Sequence, residues 1–361
     1  MQRMFTSRSA CASVLLLLVT SGALLAASHK VLTVASTVPP NGDVNPYGVA
    51  IVENTIGDLQ AGNILVSNFN NSANLQGTGT TIVQITPTGG MSVFAQISGA
   101  NLPGPCPGGI GLTTALVVLR AGWVIVGSLP TTDGTSATAQ AGCLLVLNSH
   151  GTVVETFSGG EINGPWDMTA LDLGTTASLF VTNVLNGTVA GGGNLVWEGT
   201  VIRLNLAISA TALPSLQSVT VIGSTFPERT DPAALVIGPT GVGLGRDGIL
   251  YVADSLENRI ASITDAVTRT TSAGLGLTIL TGAGLNDPLG LTVIGGDILT
   301  VNGNNGLLLG LTMDGIVLEA GLLDKSGSPP GAGALFGLEA GVGGLYFVDD
   351  ATNTLNLLVS N

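Results

Sequence analysis

Apolar residues along this chain come in short runs that Gly, Asn, Asp and Thr repeatedly interrupt. Runs rich in Val, Ile, Leu and Thr that are bounded by turn residues predict short β-strands joined by tight turns. Beyond position 28, no long stretch repeats its apolar positions with the period of roughly 3.6 that is typical of an amphipathic helix. The pattern therefore predicts an all-β protein.

One strand-like segment recurs six times, and each copy is centred on a Val. The copies read NILVSN (63–68), WVIVGS (123–128), SLFVTN (178–183), ILYVAD (249–254), DILTVNG (297–303) and LYFVDD (345–350). The intervals between successive anchor Val residues are 60, 55, 71, 49 and 47 residues. The last two approach the roughly 40–50 residues of a four-stranded propeller blade. The longer intervals predict inserted loops.

Two further devices accompany the recurring strand. A Gly precedes the anchor Val at one constant spacing in the last three copies, within an upstream strand. Downstream, residues 84–95, 146–157 and 310–321 each place a Gly-containing turn between two strands, as a tight hairpin requires. Together these devices predict four antiparallel strands in each blade.

The two ends of the chain complete the count. Only ATNTLNLLVSN (351–361) follows the sixth copy, which is enough for one more strand, and VLTVAS (31–36) supplies a missing outer strand. The sequence thus predicts a six-bladed β-propeller, a single domain over residues 29–361, whose N-terminal strand closes the last blade. A parallel β-helix is the alternative, since it is also Gly-rich and poor in aromatic residues, but the short period of its coils is not found.

The best copy, PTGVGLGRDGILYVADSLENRI (239–260), resembles the NHL repeat. Asp247-Gly248, the segment from Tyr251 to Asp254, and Asn258-Arg259-Ile260 match its pattern directly. Residues 287–306 match less closely, and the other copies match loosely. Asp167 departs from the pattern, because Gly is usual there. SMP-30/lactonase-like and YncE-like propellers are more distant relatives, and the resemblance implies a six-bladed fold.

The segment 1–28 has the order of a secretory signal. Arg3 and Arg8 precede an apolar run, and small residues follow before a cut expected between Ser28 and His29. A retained membrane anchor is the alternative, although the run is short for a span of about 20 residues. We expect a secreted or periplasmic protein without an integral membrane domain.

Composition limits the partners. Removal of the segment 1–28 leaves 8 basic and 23 acidic residues, a formal charge of −15. Such a surface repels phosphate backbones and anionic membranes, so the sequence disfavours nucleic-acid binding. It favours a neutral or cationic ligand, and we expect the protein to be a monomer.

Cys106 and Cys143 are the cysteines that remain after the signal. In an oxidising compartment they are expected to form one disulfide. Two free buried thiols are the alternative.

The residue after the Pro of each Pro-x-Gly element, or its equivalent, is expected to face the mouth of the central channel. Those residues are Tyr47, Trp166, Thr240, Leu289 and Phe336, and Asp167 lies beside them. Three are aromatic in a chain with only 4% aromatic residues. They predict a pocket for a small molecule, peptide or glycan. The alternative is that they plug the channel as packing.

Polar residues on the same loops could bind Ca²⁺, which takes six to eight oxygen ligands. They are Asn45, Asn163, Asp167, Asp231, Asn286 and Asp287. Capping of their own loops is the alternative explanation. The only histidines, His29 and His150, cannot form a three-histidine zinc site.

The sequence assembles no acid/base set, so it favours a binding scaffold over an enzyme, without a required cofactor. The function expected is ligand binding by the loops at one face of the channel. The alternative is a Ca²⁺-dependent hydrolase or lactonase with its site at the channel mouth. Neither interpretation identifies the ligand.

Overall fold

A computed structural model describes residues 29–209 and 211–360 of the chain. The expected signal segment and its cut lie outside these residues, apart from His29. Twenty-five strands form six antiparallel sheets, and two short 3₁₀ turns lie at Gly99–Asn101 and Ser136–Thr138. The described part of the chain contains no helix with the length and hydropathy of a membrane span.

The sheets are the six predicted blades, numbered in chain order. The innermost strands are β2 (Val44–Ile51), β6 (Leu112–Val118), β10 (Pro165–Asp172), β15 (Pro239–Leu244), β19 (Pro288–Ile294) and β23 (Leu335–Gly341). The second strands are β3 (Ile64–Asn70), β7 (Val124–Ser128), β11 (Thr176–Asn183), β16 (Leu250–Asp254), β20 (Asp297–Asn302) and β24 (Gly344–Asp349). All six anchor Val residues lie in these second strands, where they are fully buried.

Two more strands complete each blade. The third strands are β4 (Thr81–Ile85), β8 (Cys143–Leu147), β12 (Val196–Ala207), β17 (Arg259–Ile263), β21 (Leu307–Thr312) and β25 (Thr354–Ser360). The fourth strands are β5 (Met91–Gln96), β9 (Val153–Ser158), β13 (Ser215–Asp231), β18 (Leu277–Thr281), β22 (Val317–Leu322) and, for the last blade, β1 (His29–Ser36). The six-bladed propeller is confirmed, and the β-helix alternative is wrong.

The ring closes as the sequence predicted. β1 pairs antiparallel with β25, with Thr33 opposite Asn356. Beyond the strand, Thr37 N–H donates to the Asn353 carbonyl at 2.9 Å. The first described residues therefore complete blade 6.

Blade 3 differs from the others because it has a fifth strand. β13 runs for 17 residues and turns back at 232–234 into β14 (Leu235–Ile237). This hairpin lies within the longest interval between anchor Val residues, where the sequence predicted an insertion. It extends over the face of the propeller at which the inner strands begin.

Aliphatic side chains fill the space between blades, as the low aromatic content requires. Between blades 1 and 2, Leu65 and Ile82 pack with Leu116 and Val126 in one buried cluster. Hydroxyl groups beside the propeller axis also form hydrogen bonds between neighbouring blades. Thr182 of β11 donates to the Thr240 carbonyl at 2.8 Å and thereby joins blade 3 to blade 4.

The NHL-like residues of blade 4 have structural roles. Asp254 accepts two hydrogen bonds from the Arg259 guanidinium, at 2.7 and 3.1 Å, inside the blade. Gly248 takes a positive φ of 79° in the turn before β16, which explains the Asp-Gly pair there. The Asn258 side chain accepts the Asp287 N–H at 2.6 Å and links the blade to the next inner strand.

The disulfide is confirmed. Cys106 and Cys143 are bonded, with Cα atoms 5.1 Å apart, so the alternative of two free thiols is wrong. The bond fastens the connection between blades 1 and 2 to the start of β8.

Candidate functional site

The central channel is closed at the end where the inner strands begin. Tyr47 stacks on Phe336 with ring centroids 4.0 Å apart, and on Phe69 at 4.5 Å. Trp166 lies 6.2 Å from the Tyr47 ring, and Leu289 belongs to the same buried cluster. No side chain of this group is more than 8% exposed. We call these five residues the aromatic plug.

Four of the residues predicted to face a ligand therefore contact one another in the plug. This is the packing arrangement that the sequence left open, and ligand contact by these residues stays a prediction. The fifth, Thr240, is fully buried outside the plug. Its hydroxyl lies 2.9 Å from the Pro288 carbonyl oxygen, within hydrogen-bond distance, and so contributes to the contact between blades 4 and 5.

The β13–β14 hairpin covers the plug from outside. Leu235 and Val236 of the hairpin belong to the same hydrophobic cluster as the plug, together with Leu129 of blade 2. Gln76, in a loop of blade 1, donates its Nε2 hydrogen to the Ala233 carbonyl at 2.7 Å. This bond joins blade 1 to the hairpin of blade 3, so the covered face offers no open channel mouth.

Two of the predicted calcium ligands lie close together beside this cover. Asp231 pairs with Arg229 at 2.9 Å and accepts the Ala233 N–H at 2.8 Å, which caps its own turn. Burial, together with the negative charge of Asp231, raises the pKa of Asp287 to about 6, while Arg229 opposes the shift.

The predicted amide ligands make separate local contacts. The backbone N–H of Asn45 donates to the Asn353 side chain at 2.7 Å, and Asn163 donates to Asn186. Asn286 accepts from Asn304 at 3.5 Å. Within residues 29–209 and 211–360, no group of three or more His, Cys, Asp or Glu side chains is arranged to hold a metal ion. Calcium binding by the predicted set stays a prediction.

Beyond the plug, the channel continues as a cavity of about 510 Å³. Each inner strand is the edge strand of its sheet, so one row of its backbone N–H and C=O groups faces the channel without a neighbouring strand. Such groups can hydrogen-bond to a ligand or to water. Glu53 and Val342, which is 89% exposed, line the far end. The cavity therefore opens on the face opposite the plug.

Asp167 lies in the wall of this cavity, near the plug. The strand register places it in the row that Gly241 occupies in blade 4 and Gly337 in blade 6. A Cβ on Gly241 would lie 2.2 Å from the Leu289 carbonyl oxygen, which explains why Gly is usual in this row. In blade 3 the Asp167 carboxylate instead accepts the Val242 N–H at 3.0 Å and bridges two inner strands.

Besides Asp167 and Glu53, Glu339 contributes a carboxyl group to the cavity wall. Glu339 follows Gly337 by two residues on β23, which places it about 7 Å farther from the plug. Blades 3 and 6 are opposite each other in a ring of six, so Asp167 and Glu339 lie on opposite sides of the channel, at heights that differ by about 7 Å. Glu339 is half-buried because its side chain borders the open space.

Burial sets the protonation of both groups. It raises the pKa of Asp167 to about 8, to which the charge of Glu339 contributes, while the N–H groups of Met168 and Val242 oppose the shift. Burial also raises the pKa of Glu339 to about 7. Near neutral pH the cavity therefore presents a protonated carboxyl as hydrogen-bond donor and a second carboxyl close to its midpoint.

Sequence reasoning missed Glu339 and Phe69. Glu339 had a detectable signal, because it follows Gly337 by two residues on an otherwise apolar inner strand. Phe69 had one as well, since it directly follows the recurring Asn68 in a chain with few aromatic residues. What the sequence could not show is that Phe69 reaches the Tyr47 ring.

Solved structures of propeller enzymes share this fold at low sequence identity. A gluconolactonase from Xanthomonas campestris is 15% identical with a TM-score of 0.55, over 94% of this chain and 92% of that one. The PQQ-bound aldose sugar dehydrogenase of Streptomyces coelicolor is 14% identical with a TM-score of 0.56, over 92% and 99%. A virginiamycin B lyase from Staphylococcus aureus is 13% identical with a TM-score of 0.53, over 92% and 100%.

These similarities show the fold alone. No protein-family model matches the chain, and no curated protein matches it either.

The residues that line the cavity supply no cationic side chain for the cofactor of the sugar dehydrogenase. PQQ is a tricarboxylate and needs cationic or hydrogen-bond-donating partners. The residues that line the cavity include Glu53, Asp167 and Glu339 but no Lys or Arg.

Proposed function

We propose that this chain is an exported NHL-type propeller that binds a small polar ligand inside its central channel. The observation that carries the proposal is the cavity of about 510 Å³, closed by the plug and containing Asp167 and Glu339. Its size falls within the roughly 300–1,000 Å³ of small-molecule sites. The ligand enters from the open face, where Glu53 and Val342 lie.

The chemistry of the wall limits the ligand. Edge-strand backbone groups and a protonated carboxyl suit a ligand with several hydroxyl or amine groups. Glu339, whose carboxyl group is close to its titration midpoint, and the acidic surface of the protein favour a neutral or cationic ligand over an anion. Sugars, their lactones and small amines meet these requirements.

Blocking the cavity tests the proposal. Ala340 lines the cavity, and Ala340→Trp should fill it and abolish binding of whichever sugar, lactone or amine raises the melting temperature of the wild type. Ala233→Trp is the matched control, because Ala233 is exposed on the covered face. Binding would be measured by calorimetry for both variants.

Two outcomes would contradict the proposal. One is a ligand that binds Ala340→Trp as tightly as the wild type. The other is loss of binding only in Ala233→Trp, which would place the ligand on the loops of the covered face, as the sequence predicted.

The second candidate function is hydrolysis of a lactone in the same cavity. Two observations favour it: the similarity to a gluconolactonase structure and the two carboxyl groups with raised pKa values. Ionised Glu339 would take a proton from the water that attacks the lactone carbonyl. Protonated Asp167 would donate its proton to the ring oxygen as its bond to the carbonyl carbon breaks.

Acid release from glucono-δ-lactone tests this candidate. We expect Asp167→Asn and Glu339→Gln each to lower the rate by about 10²-fold or more if the pair acts as acid and base. Activity that needs Ca²⁺ and is lost with EDTA would instead support the metal-dependent mechanism. Binding of the lactone without hydrolysis would support ligand binding and contradict the hydrolase candidate.

A further inference from the structure

A second polar site lies in blade 3, outside the channel. Glu228 of β13 and Glu198 of β12 contribute carboxyl groups, and Thr188 and Asn186 belong to the loop between β11 and β12. We call these four residues the blade 3 carboxylate cluster. None of them lines the central cavity.

Glu228 is the unusual member of the cluster. It is fully buried, and neither carboxyl oxygen makes a hydrogen bond of normal geometry. The Thr188 hydroxyl and the Asn186 N–H lie close enough to influence its carboxyl group, and that hydroxyl donates its own hydrogen to the Val184 carbonyl at 3.0 Å. A buried carboxyl without partners is costly, so such a group calls for a missing partner.

Glu198 extends the cluster to the surface. Glu228 pairs with Val196 in the strand register, and the register shifts between Val196 and Gly199. Glu198 lies within this irregular stretch, close enough for its charge to act on Glu228. Its carboxylate lies against Gly187 of the loop. Because Glu198 is exposed, the cluster has a route to solvent.

Among residues 29–209 and 211–360, no basic side chain forms an ion pair with Glu228 or Glu198. The adjacent Arg229 forms its ion pair with Asp231. Burial, together with the charge of Glu198, raises the pKa of Glu228 to about 8, while the Thr188 and Asn186 contacts oppose the shift.

We propose that Glu228, Glu198 and Thr188 bind a calcium ion, with loop carbonyl groups between residues 184 and 195 completing its shell. All the available donors are oxygen atoms, which Ca²⁺ prefers over the nitrogen and sulfur ligands of transition metals. The ion would supply the positive charge that Glu228 lacks. It would also fasten this loop to the base of the β13–β14 hairpin, and so hold the cover over the plug.

Calcium titration of the whole protein tests the site. About 5 mM CaCl₂ exceeds the ~10⁻³ M dissociation constant at the weak end of extracellular calcium sites, so it should raise the melting temperature measurably. Glu228→Gln and Glu198→Gln should each abolish the rise.

Two controls separate this site from others. Glu155→Gln, on the outer strand of blade 2, and Glu339→Gln, in the channel, should both keep the calcium-induced rise. Tb³⁺ in place of Ca²⁺ gives an independent signal, since Trp197 adjoins Glu198 and can sensitise its luminescence. Trp197→Phe should lower that luminescence and leave the melting-temperature rise unchanged.

The proposal is overturned if Ca²⁺ changes no melting temperature, or if Glu228→Gln retains the full rise. If Glu228→Gln does not fold, Glu198→Gln still tests the proposal, because Glu198 is exposed. The proposal requires that Glu198→Gln lose the Tb³⁺ luminescence. Loss of the calcium effect in Glu339→Gln but not in Glu198→Gln would assign the ion to the channel instead.

Discussion

The two ends of the central channel are built from the same six strands but differ in what fills them. At one end Tyr47, Trp166 and Phe336 are buried together in one hydrophobic cluster. At the other end the strands leave open space, lined by backbone edges and by Asp167 and Glu339. Because the six inner strands have the same backbone structure, a few side chains at one level along the channel determine whether that level is filled like a core or left open as a cavity.

Truncating the plug should have the largest effect. Tyr47→Ala removes a buried ring that stacks on two others, and we expect it to lower the free energy of unfolding by about 3–5 kcal/mol, as for other buried aromatic residues. Tyr47→Phe keeps the stacking and should retain most of the stability. Chemical denaturation measures both, and a loss below about 1 kcal/mol for Tyr47→Ala would show that the plug is not core.

Removing the disulfide should come next. Cys143→Ser frees the connection that leads from blade 1 into blade 2, and we expect a loss of about 2–4 kcal/mol. The same measurement on the reduced wild type is the control. Equal stability of the oxidised and reduced proteins would contradict this expectation.

Changing the pH should act on the open end through its two buried carboxyl groups. Asp167 and Glu339 have folded-state pKa values raised to about 8 and about 7 from ordinary values of 3.8 and 4.5. Between these limits the folded state binds more protons than the unfolded state, so stability should fall as the pH rises from about 4 to about 8.

Asp167→Asn with Glu339→Gln tests this source of the pH dependence. The double variant should have a flatter profile of melting temperature between pH 5 and pH 8. It lacks two of the carboxyl groups that, in the folded state, release their protons only at this high pH. Glu228 and Asp350, whose pKa values burial also raises, keep part of the slope. An unchanged profile would mean that water in the cavity already solvates both carboxylates.

The rim of the open end should tolerate substitution best. Val342 is almost fully exposed, so Val342→Ser should change the free energy of unfolding by no more than about 0.5 kcal/mol. Leu289→Ser, in the plug, is the contrasting variant and should cost several times more. Similar losses for the two would remove the distinction between the two ends.

The sequence predicted the propeller fold well because the same patterns recur in several blades. A deviation in one copy therefore does not hide the pattern. The anchor Val residues, the hairpin at Gly151 and the closing strand near Thr33 each follow from short-range patterns that recur. The fifth strand of blade 3 was not predicted, since β14 occurs once and has only three residues.

The candidate site was harder to predict because it depends on contacts between distant blades. Tyr47 and Phe336 were expected to face the channel mouth, and in the structure their rings stack on each other. Whether they line a pocket or fill it depends on Phe69 and on the hairpin that covers them, which no local pattern reveals. Asp167 was identified by its departure from Gly, whereas its partner across the channel, Glu339, became evident only from the ring geometry.

The pairing of β1 with β25 has a consequence for how the chain reaches its final state. Thr33 and Asn356, which lie opposite each other, are joined only after all the strands from β2 to β24 have emerged. Until then blade 6 has an unmatched edge, and contacts of such long range form slowly. An incomplete chain can add a strand from a second molecule at that edge, so aggregation should be most severe for fragments that stop just short of the last strand.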